Sequence, residues 1–292
     1  GGSGAECSRR KCFTVLLNTF KRPDRLAAAI PHYGHCAAER GVPIAQVRVV
    51  WSEPTPPPTP QTHPQLFSSQ VEVVYDTFPT TSLNNRFIPP AGLATEGVFS
   101  VDDDIFVTCN SLLFAFEVWR SSPDQLVGYV PRLHVPERSG NAGAFEYRHW
   151  WTVWWRGEYS IILTKVCFLH ARWLEAYTHA TPASELAFVE EGRNCEDILM
   201  QFVVSNATRS PPVWVQGSYT DTGIYDGIST SGGASLAALG VGHKHERGAC
   251  VSRFVRVFGA EALPVGRAYA VPATAFVSLK RPPAWPELFA PL

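Results

Sequence analysis

The feature that most constrains this chain is a short apolar run, Gly97-Val98-Phe99-Ser100-Val101, that ends without a break on three consecutive aspartates, Asp102, Asp103 and Asp104. A run of this length, rich in β-branched and aromatic residues and bounded by polar ones, reads as a buried strand. Runs of the same kind occupy residues 12–17, 47–51 and 71–75. After the first, Pro23 stands in the first turn of a helical pattern over residues 23–29, and residues 111–119 carry the i, i+3, i+4 apolar spacing of an amphipathic helix. Strands alternating with helices predict an α/β layer with a mostly parallel sheet. In such sheets ligands bind beyond the carboxyl ends of the strands, where the aspartates stand.

The second half is more mixed. Residues 125–131 and 159–163 read as strands, and residues 172–178 and 196–206 as helices. The stretch from Gly217 to Gly242, rich in Gly, Ser and Thr, reads as a mobile loop. The Pro-Thr segment at 52–62 falls inside the strand series, so residues 5–292 are expected to form one domain. The opening Gly1-Gly2-Ser3-Gly4 reads as a linker or cleavage scar, with any anchor removed. Lys and Arg number 25 against 26 Asp and Glu, which supplies no basic field for nucleic acid. No run of about 18 apolar residues is present to span a bilayer.

Three adjacent aspartates repel one another, and on their own they could simply be a solvated turn. At a strand's carboxyl end they gain another use. Alternation would put Asp102 and Asp104 on one side and Asp103 opposite. Two hard oxygen donors there suit Mn²⁺ or Mg²⁺, completed by water and the phosphate oxygens of a substrate such as a nucleoside diphosphate. Such an ion offsets charge on a departing diphosphate, the main electrostatic demand of sugar transfer. A metal-dependent phosphohydrolase would use the same carboxylates. The seven cysteines contain no CxxC pattern, which disfavours zinc.

Further motifs narrow the choice. Val101-Asp102-Asp103-Asp104 with the helix Phe114-Ala115-Phe116-Glu117-Val118-Trp119, Gly128-Tyr129-Val130-Pro131-Arg132 and Asn194-Cys195-Glu196-Asp197-Ile198 resembles the exostosin-like glycosyltransferases, glycosyltransferase family 64. Thr19-Phe20-Lys21-Arg22-Pro23-Asp24, Val49-Val50-Trp51 and Ser82-Leu83-Asn84-Asn85-Arg86-Phe87 extend the match over nearly the whole chain. The resemblance implies a GT-A fold, a nucleotide-sugar donor, Mn²⁺ dependence and retention of anomeric configuration. By the family pattern Asp104 holds the metal, and Asp102 or Asp103 reaches the ribose or a metal-bound water. Asn18, Arg22, Ser52, Asn85 and Arg86 match donor contacts. Asn18 stands where a longer Gln is frequent and Ser52 where Asn is frequent, so the base, uridine or guanosine, stays open.

Asp197 is the expected reaction-centre carboxylate, as a shield for positive charge at the anomeric carbon or as a nucleophile; otherwise it is an ordinary first-turn acid. The resemblance matches Arg247 to the arginine on the leaving diphosphate and makes His243 a further phosphate or metal contact, although residues 243–247 could equally be a polar loop. A Cys195–Cys250 bond would hold Asp197 and Arg247 in one site. The partners of Cys7, Cys12, Cys36 and Cys109 stay open, and Cys167 is expected to be a buried free thiol. Trp150, Trp151, Trp154 and Trp155 lie within six residues. They form either a buried sheet layer or an acceptor platform for sugar rings or a lipid headgroup. This run is closer to the plant and algal branch that adds mannose or N-acetylglucosamine to glycosyl inositol phosphorylceramides. A heparan-type acceptor and a catalytically silent sugar-binding module are the alternatives. The sequon at Asn206 and the cysteines point to a secretory compartment, the Golgi lumen for a type II membrane protein, and a homodimer is left open.

Overall fold

The computed structural model describes residues 10–67, 71–137, 143–223 and 236–273, with backbone alone for 236–244. The opening four residues, Cys7 and the side chain of His243 lie outside this set. Strand β1 (Phe13–Thr19) leads through helix α1 (Pro23–Arg40) to β2 (Ile44–Trp51), and β3 (Glu72–Thr77) and β4 (Gly97–Asp102) follow. After the short β5 (Ile105–Val107) come α2 (Cys109–Ser121), β6 (Val127–Gly128), β7 (Pro131–Pro136), β8 (Phe145–Arg148), α3 (Trp150–Arg156), β9 (Ile161–Ile162) and β10 (Val166–His170). The remainder holds α4 (Arg172–Glu175), α5 (Ala183–Gly192), α6 (Glu196–Thr208), β11 (Val213–Val215), β12 (Tyr219–Asp221), α7 (Leu236–Phe258) and β13 (Tyr269–Ala270).

The architecture is a mixed α/β fold around one large sheet of order β13-β11-β6-β10-β4-β1-β2-β3. Its pairings are parallel except the two made by β10, with β4 and with β6. The chain runs outward from β1 through β2 to β3, then returns to the other side of β1 as β4. That reversal is a switch point, where the crevice beyond the strand ends opens between β1 and β4. Register sets the contents: Asn18 of β1 lies opposite Asp102 of β4.

The central strands are apolar on both faces because helices and loops cover both. Phe13, Phe99, Phe116, Phe168 and the Trp119 ring pack with centroids between 4.7 and 6.4 Å. Gly128 on β6 is required by this closeness, since a Cβ there would stand 2.6 Å from the Cys167 Cβ.

Several sequence expectations need revision. The Gly217 to Gly242 stretch is not loop throughout: β12 pairs antiparallel with β5, and α7 begins at Leu236. Residues 243–247, weighed as a polar loop, lie on α7. The strand expected at 125–131 is split into β6 and β7 around Tyr129-Val130, and helix α4 continues into a π-turn at Ala176–Ala180. The four tryptophans belong to helix α3, not to a sheet layer.

The structure pairs Cys195 with Cys250 and Cys36 with Cys109, and Cys12 is disulfide-bonded as well. Cys36–Cys109 ties α1 to the start of α2, two helices remote in sequence. Cys167 is a buried free thiol, and burial pushes its pKa up to about 12. It should resist maleimide in the native protein near neutral pH and react fully in denaturant, read as mass added to the Cys167 peptide; labelling at equal rates in both states would contradict the burial.

Candidate active site at the β1/β4 switch point

Strand β4 ends at Asp102, and Asp103 and Asp104 form the turn into β5. Alternation therefore stops two residues short of Asp104, and the expected pairing of Asp102 with Asp104 on one side does not form. Asp103 and Asp104 instead share Arg22, which reaches Asp103 Oδ1 at 2.8 Å and Asp104 Oδ2 at 2.7 Å. Asp102 faces the other way, to the Arg86 guanidinium.

Arg22 can do this because β1 ends beside β4 and the chain turns at Lys21, whose φ is 56°. Pro23 then starts α1, leaving Arg22 at the helix entry. Asp103 is fully buried and accepts a hydrogen bond from Thr19 Oγ1 at 2.6 Å, while its backbone N–H donates to the Asn18 carbonyl at 3.1 Å. Burial raises its pKa to about 6, against the opposing pull of Thr19 and Arg22. Asp104 is covered by the residues after β12: Thr222 donates to its carbonyl from both N–H (2.9 Å) and Oγ1 (3.0 Å). At Gly223 a Cβ would stand 2.3 Å from Asp104 Oδ2, so only glycine lies this close.

The 3₁₀ turn Leu83–Phe87, capped by Ser82, delivers Asn85 and Arg86. The buried Asn85 amide donates to Ser52 Oγ at 3.0 Å and to the Thr80 carbonyl at 2.8 Å, locking this turn to the end of β2. Arg86, 5% exposed, spans the site from Asp102 to Glu196 Oε1 at 3.3 Å. Asn18, at the end of β1, is half-buried.

Helix α6 opens with Glu196 and Asp197, presented by Cys195 at φ 75°. Asp197 Oδ2 meets Arg247 of α7 at 2.5 Å, and its Oδ1 accepts from the Ile198 N–H at 2.8 Å. Arg247 also donates to Asn194 Oδ1 at 3.1 Å and lies 4.8 Å over the Tyr147 ring. Burial alone would raise Asp197, but the charge and hydrogen bond of Arg247 hold it below the ordinary carboxylate range. Its neighbour Glu196 goes the other way, raised by burial and by the Asp197 charge. The Cys195–Cys250 bridge joins the start of α6 to α7, at a sequence separation of 55 and with Cα atoms 6.4 Å apart. Closing a loop of that length contributes roughly 4 kcal/mol in the chain-entropy picture.

The structure thus brings Arg22, Arg86, Asp102, Asp103, Asp104, Asp197 and Arg247 to one end of the sheet. The Arg86 bridge links the β4 aspartates to α6 through Glu196, a residue the sequence reading did not single out. Thr19, which bonds Asp103, and Asn194 and Tyr147, which contact Arg247, likewise take their roles only from spatial neighbours. Asn206 is half-buried in the last turn of α6. Trp150, Trp151, Trp154 and Trp155 all stand exposed on α3, which begins three residues after Tyr147.

Carboxylate oxygens are the right donors for a hard divalent cation, but among the described residues no group of three or more His, Cys, Asp or Glu side chains could hold a metal ion. Asp104, the expected metal ligand, has its Oδ2 paired with Arg22.

A family model described as the glycosyl transferase family 64 domain matches residues 13–272. The chain belongs to this family. Over 259 residues it is 42% identical to glycosylinositol phosphorylceramide mannosyl transferase 1 of Arabidopsis thaliana, covering 86% of this chain and 73% of that protein. It is 34% identical to an exostosin-like-3 homolog of Caenorhabditis elegans over 226 residues, and 30% identical to human exostosin-2 over 259 residues. Those matches take in 75% and 87% of this chain but only 26% and 33% of the two relatives. The chain is a glycosyltransferase by family, with the carboxylate and arginine cluster at its switch point.

Removing Arg86 would leave Asp102 and Glu196 without their cation in a buried setting, which costs about 3–5 kcal/mol. Urea unfolding of Arg86→Leu should show a loss of that size, and a loss below about 1 kcal/mol would show the bridge to be incidental. The Arg247–Asp197 pair carries a pH signature. A depressed carboxylate contributes stability above its unfolded pKa and loses it as pH falls through the folded value. In Arg247→Leu the buried Asp197 loses its cation and rises, reversing that sign. Between about pH 6 and about pH 3 the stability of Arg247→Leu should therefore fall less steeply than that of the parent.

Proposed function

We propose that this chain is a retaining glycosyltransferase of the GT-A type that moves mannose or N-acetylglucosamine from a GDP- or UDP-linked donor to a glycosyl inositol phosphorylceramide. The carrying observation is the Arg86 bridge, which links the strand-end aspartates to the Asp197–Arg247 pair. One part is suited to a nucleoside diphosphate and the other to the reacting sugar. The 42% identity to a protein named as a mannosyl transferase of this lipid class favours mannose and the lipid acceptor.

Charge supports a cation requirement. In the cluster five carboxylates, Asp102, Asp103, Asp104, Glu196 and Asp197, face four guanidinium groups, Arg22, Arg86, Arg247 and Arg25, the last near enough to Asp103 to pull its pKa down. A diphosphate entering beside that excess would meet net repulsion. Mn²⁺ or Mg²⁺ held by Asp104 would supply the balancing charge and Lewis acidity at the leaving group. Arg22 reaches Asp104 from the start of α1 and is placed to follow the phosphates. Asp197, kept ionised by Arg247, is suited to shield positive charge at the anomeric carbon or to attack it. Arg247 orients that carboxylate and lends its remaining donors to the diphosphate. Asn18, Ser52 and Asn85 line the approach to the base and ribose, Asn85 and Ser52 as a mutually bonded pair.

Disulfides at Cys36–Cys109 and Cys195–Cys250 suit an oxidising lumen, consistent with a Golgi enzyme anchored by a segment preceding this domain. Among the described residues no helix is long and apolar enough to cross a membrane.

The deciding experiment incubates the chain with Mn²⁺, detergent-dispersed inositol phosphorylceramide glycolipid and a panel of GDP- and UDP-sugars. One donor should turn over, with chelation abolishing transfer and NMR of the product showing the donor's anomeric configuration. Asp197→Asn should lower kcat by about 10²–10³ while donor Kd stays within a few-fold. Absence of binding by every donor in the panel would sink the proposal.

A further inference from the structure

Helix α3 is built against the usual logic of a surface. Val153 is its one buried residue, while Trp150, Trp151, Trp154 and Trp155 are 57%, 60%, 61% and 78% exposed. Gly157, in the left-handed region at φ 63°, ends the helix. The indoles support one another: Trp151 stacks on Trp154 at 5.3 Å, and Trp150 meets Trp151 edge-on at 5.3 Å. Four large rings held in water by a two-turn helix need an occupant on the other side.

Area and composition choose among occupants. With about 250 Å² per indole, the exposed rings amount to roughly 600 Å². That is the upper end of what a monomer leaves open, about 300–600 Å², and short of the about 800 Å² per partner that a stable dimer buries. The patch holds indoles rather than Leu or Ile, and an indole, with its apolar body and polar N–H, favours the headgroup zone of a bilayer. The rim is cationic in balance. Arg148 pairs with Glu146, and Arg156 and Arg267 share Glu158, so three exposed guanidinium groups stand against two carboxylates. That balance complements an anionic lipid surface.

The patch is also continuous with the candidate site. Strand β8 carries Tyr147 beneath Arg247, the partner of Asp197, and runs through His149 directly into α3. The His149 ring stands edge-on to Tyr147 at 5.8 Å.

We propose that α3 docks this domain on the headgroup layer of a membrane, its four indoles in the interface, so that β8 holds the Asp197–Arg247 centre at a fixed distance from the surface. The inference deepens the proposed lipid acceptor and rests on that reading for its purpose, but docking itself needs neither donor nor acceptor. A headgroup could then reach the site without the lipid leaving the bilayer.

Flotation with vesicles of phosphatidylcholine, alone and with phosphatidylinositol added, tests it without any sugar present. The chain should float with the vesicles, more so with the anionic lipid, and its indole emission should shift to the blue and be quenched by brominated lipid. Replacing all four tryptophans by Ser should lower the vesicle-bound fraction by about tenfold or more. The single variant Trp155→Ser, at the most exposed ring, gives a smaller loss of the same kind if the quadruple variant fails to fold, as judged by its melting curve. Failure of the parent chain to float, or floating that is unchanged in the variants, would overturn docking. So would a concentration-dependent dimer in sedimentation that the variants abolish, since that makes the occupant a second copy. Donor turnover with detergent-dispersed acceptor but no flotation leaves the proposed function standing and removes the docking. Flotation without donor binding does the reverse.

Discussion

The parallel register between β1 and β4 is the constraint on which the rest depends. It puts Asn18 opposite Asp102 and lets the turn at Lys21 bring Arg22 onto Asp103 and Asp104. Three adjacent carboxylates would otherwise repel each other at a buried strand end. Each has its own compensation here: Thr19 and Arg22 for Asp103, Arg22 for Asp104, Arg86 for Asp102. The strand pairing, being hydrogen-bonded and packed on both faces, supplies the rigidity that such close charges require.

From that edge the charges alternate outward. Arg86 links Asp102 to Glu196, and Asp197 beside it binds Arg247. Buried ion pairs of this kind contribute little net stability, because desolvation offsets most of the Coulomb gain. Their effect is positional. An unpaired member is costly, so the strand end, the 3₁₀ turn at Leu83–Phe87, the start of α6 and α7 are held in one arrangement. The Cys195–Cys250 bridge adds covalent closure where α7 follows a Gly- and Ser-rich stretch.

Much of this was legible in the residues. The runs at 12–17, 47–51, 71–75 and 97–101 all form strands of the central sheet; three are buried, as β-branched runs between two covered faces are, and the run at 71–75, β3, is the half-exposed edge. Motif resemblance located the residues that now cluster. The errors have physical causes. Strand alternation predicts a common side for Asp102 and Asp104, but β4 stops at Asp102 and a turn has no two-residue period. The tryptophan segment, which the sequence leaves open between a sheet layer and an acceptor platform, is a helix with Val153 buried and the four indoles exposed, against the usual burial of indoles. Glu196 and Asn194 stand in a quoted motif but with no role assigned, and Tyr147 in none, because an ordinary polar or aromatic residue gains its role from what stands opposite.

The sequence by itself determined the four central strands, the one among them that terminates in acid, and the membership in a glycosyltransferase family, since these rest on local pattern and on motifs read in order. Only the tertiary structure decided which arginine neutralises which aspartate, that Glu196 joins the two halves of the cluster, and that four indoles face outward beside it. Those outcomes depend on contacts between residues as much as 110 positions apart, such as Arg86 with Glu196, and side-chain distance in space is information that a one-dimensional pattern does not contain.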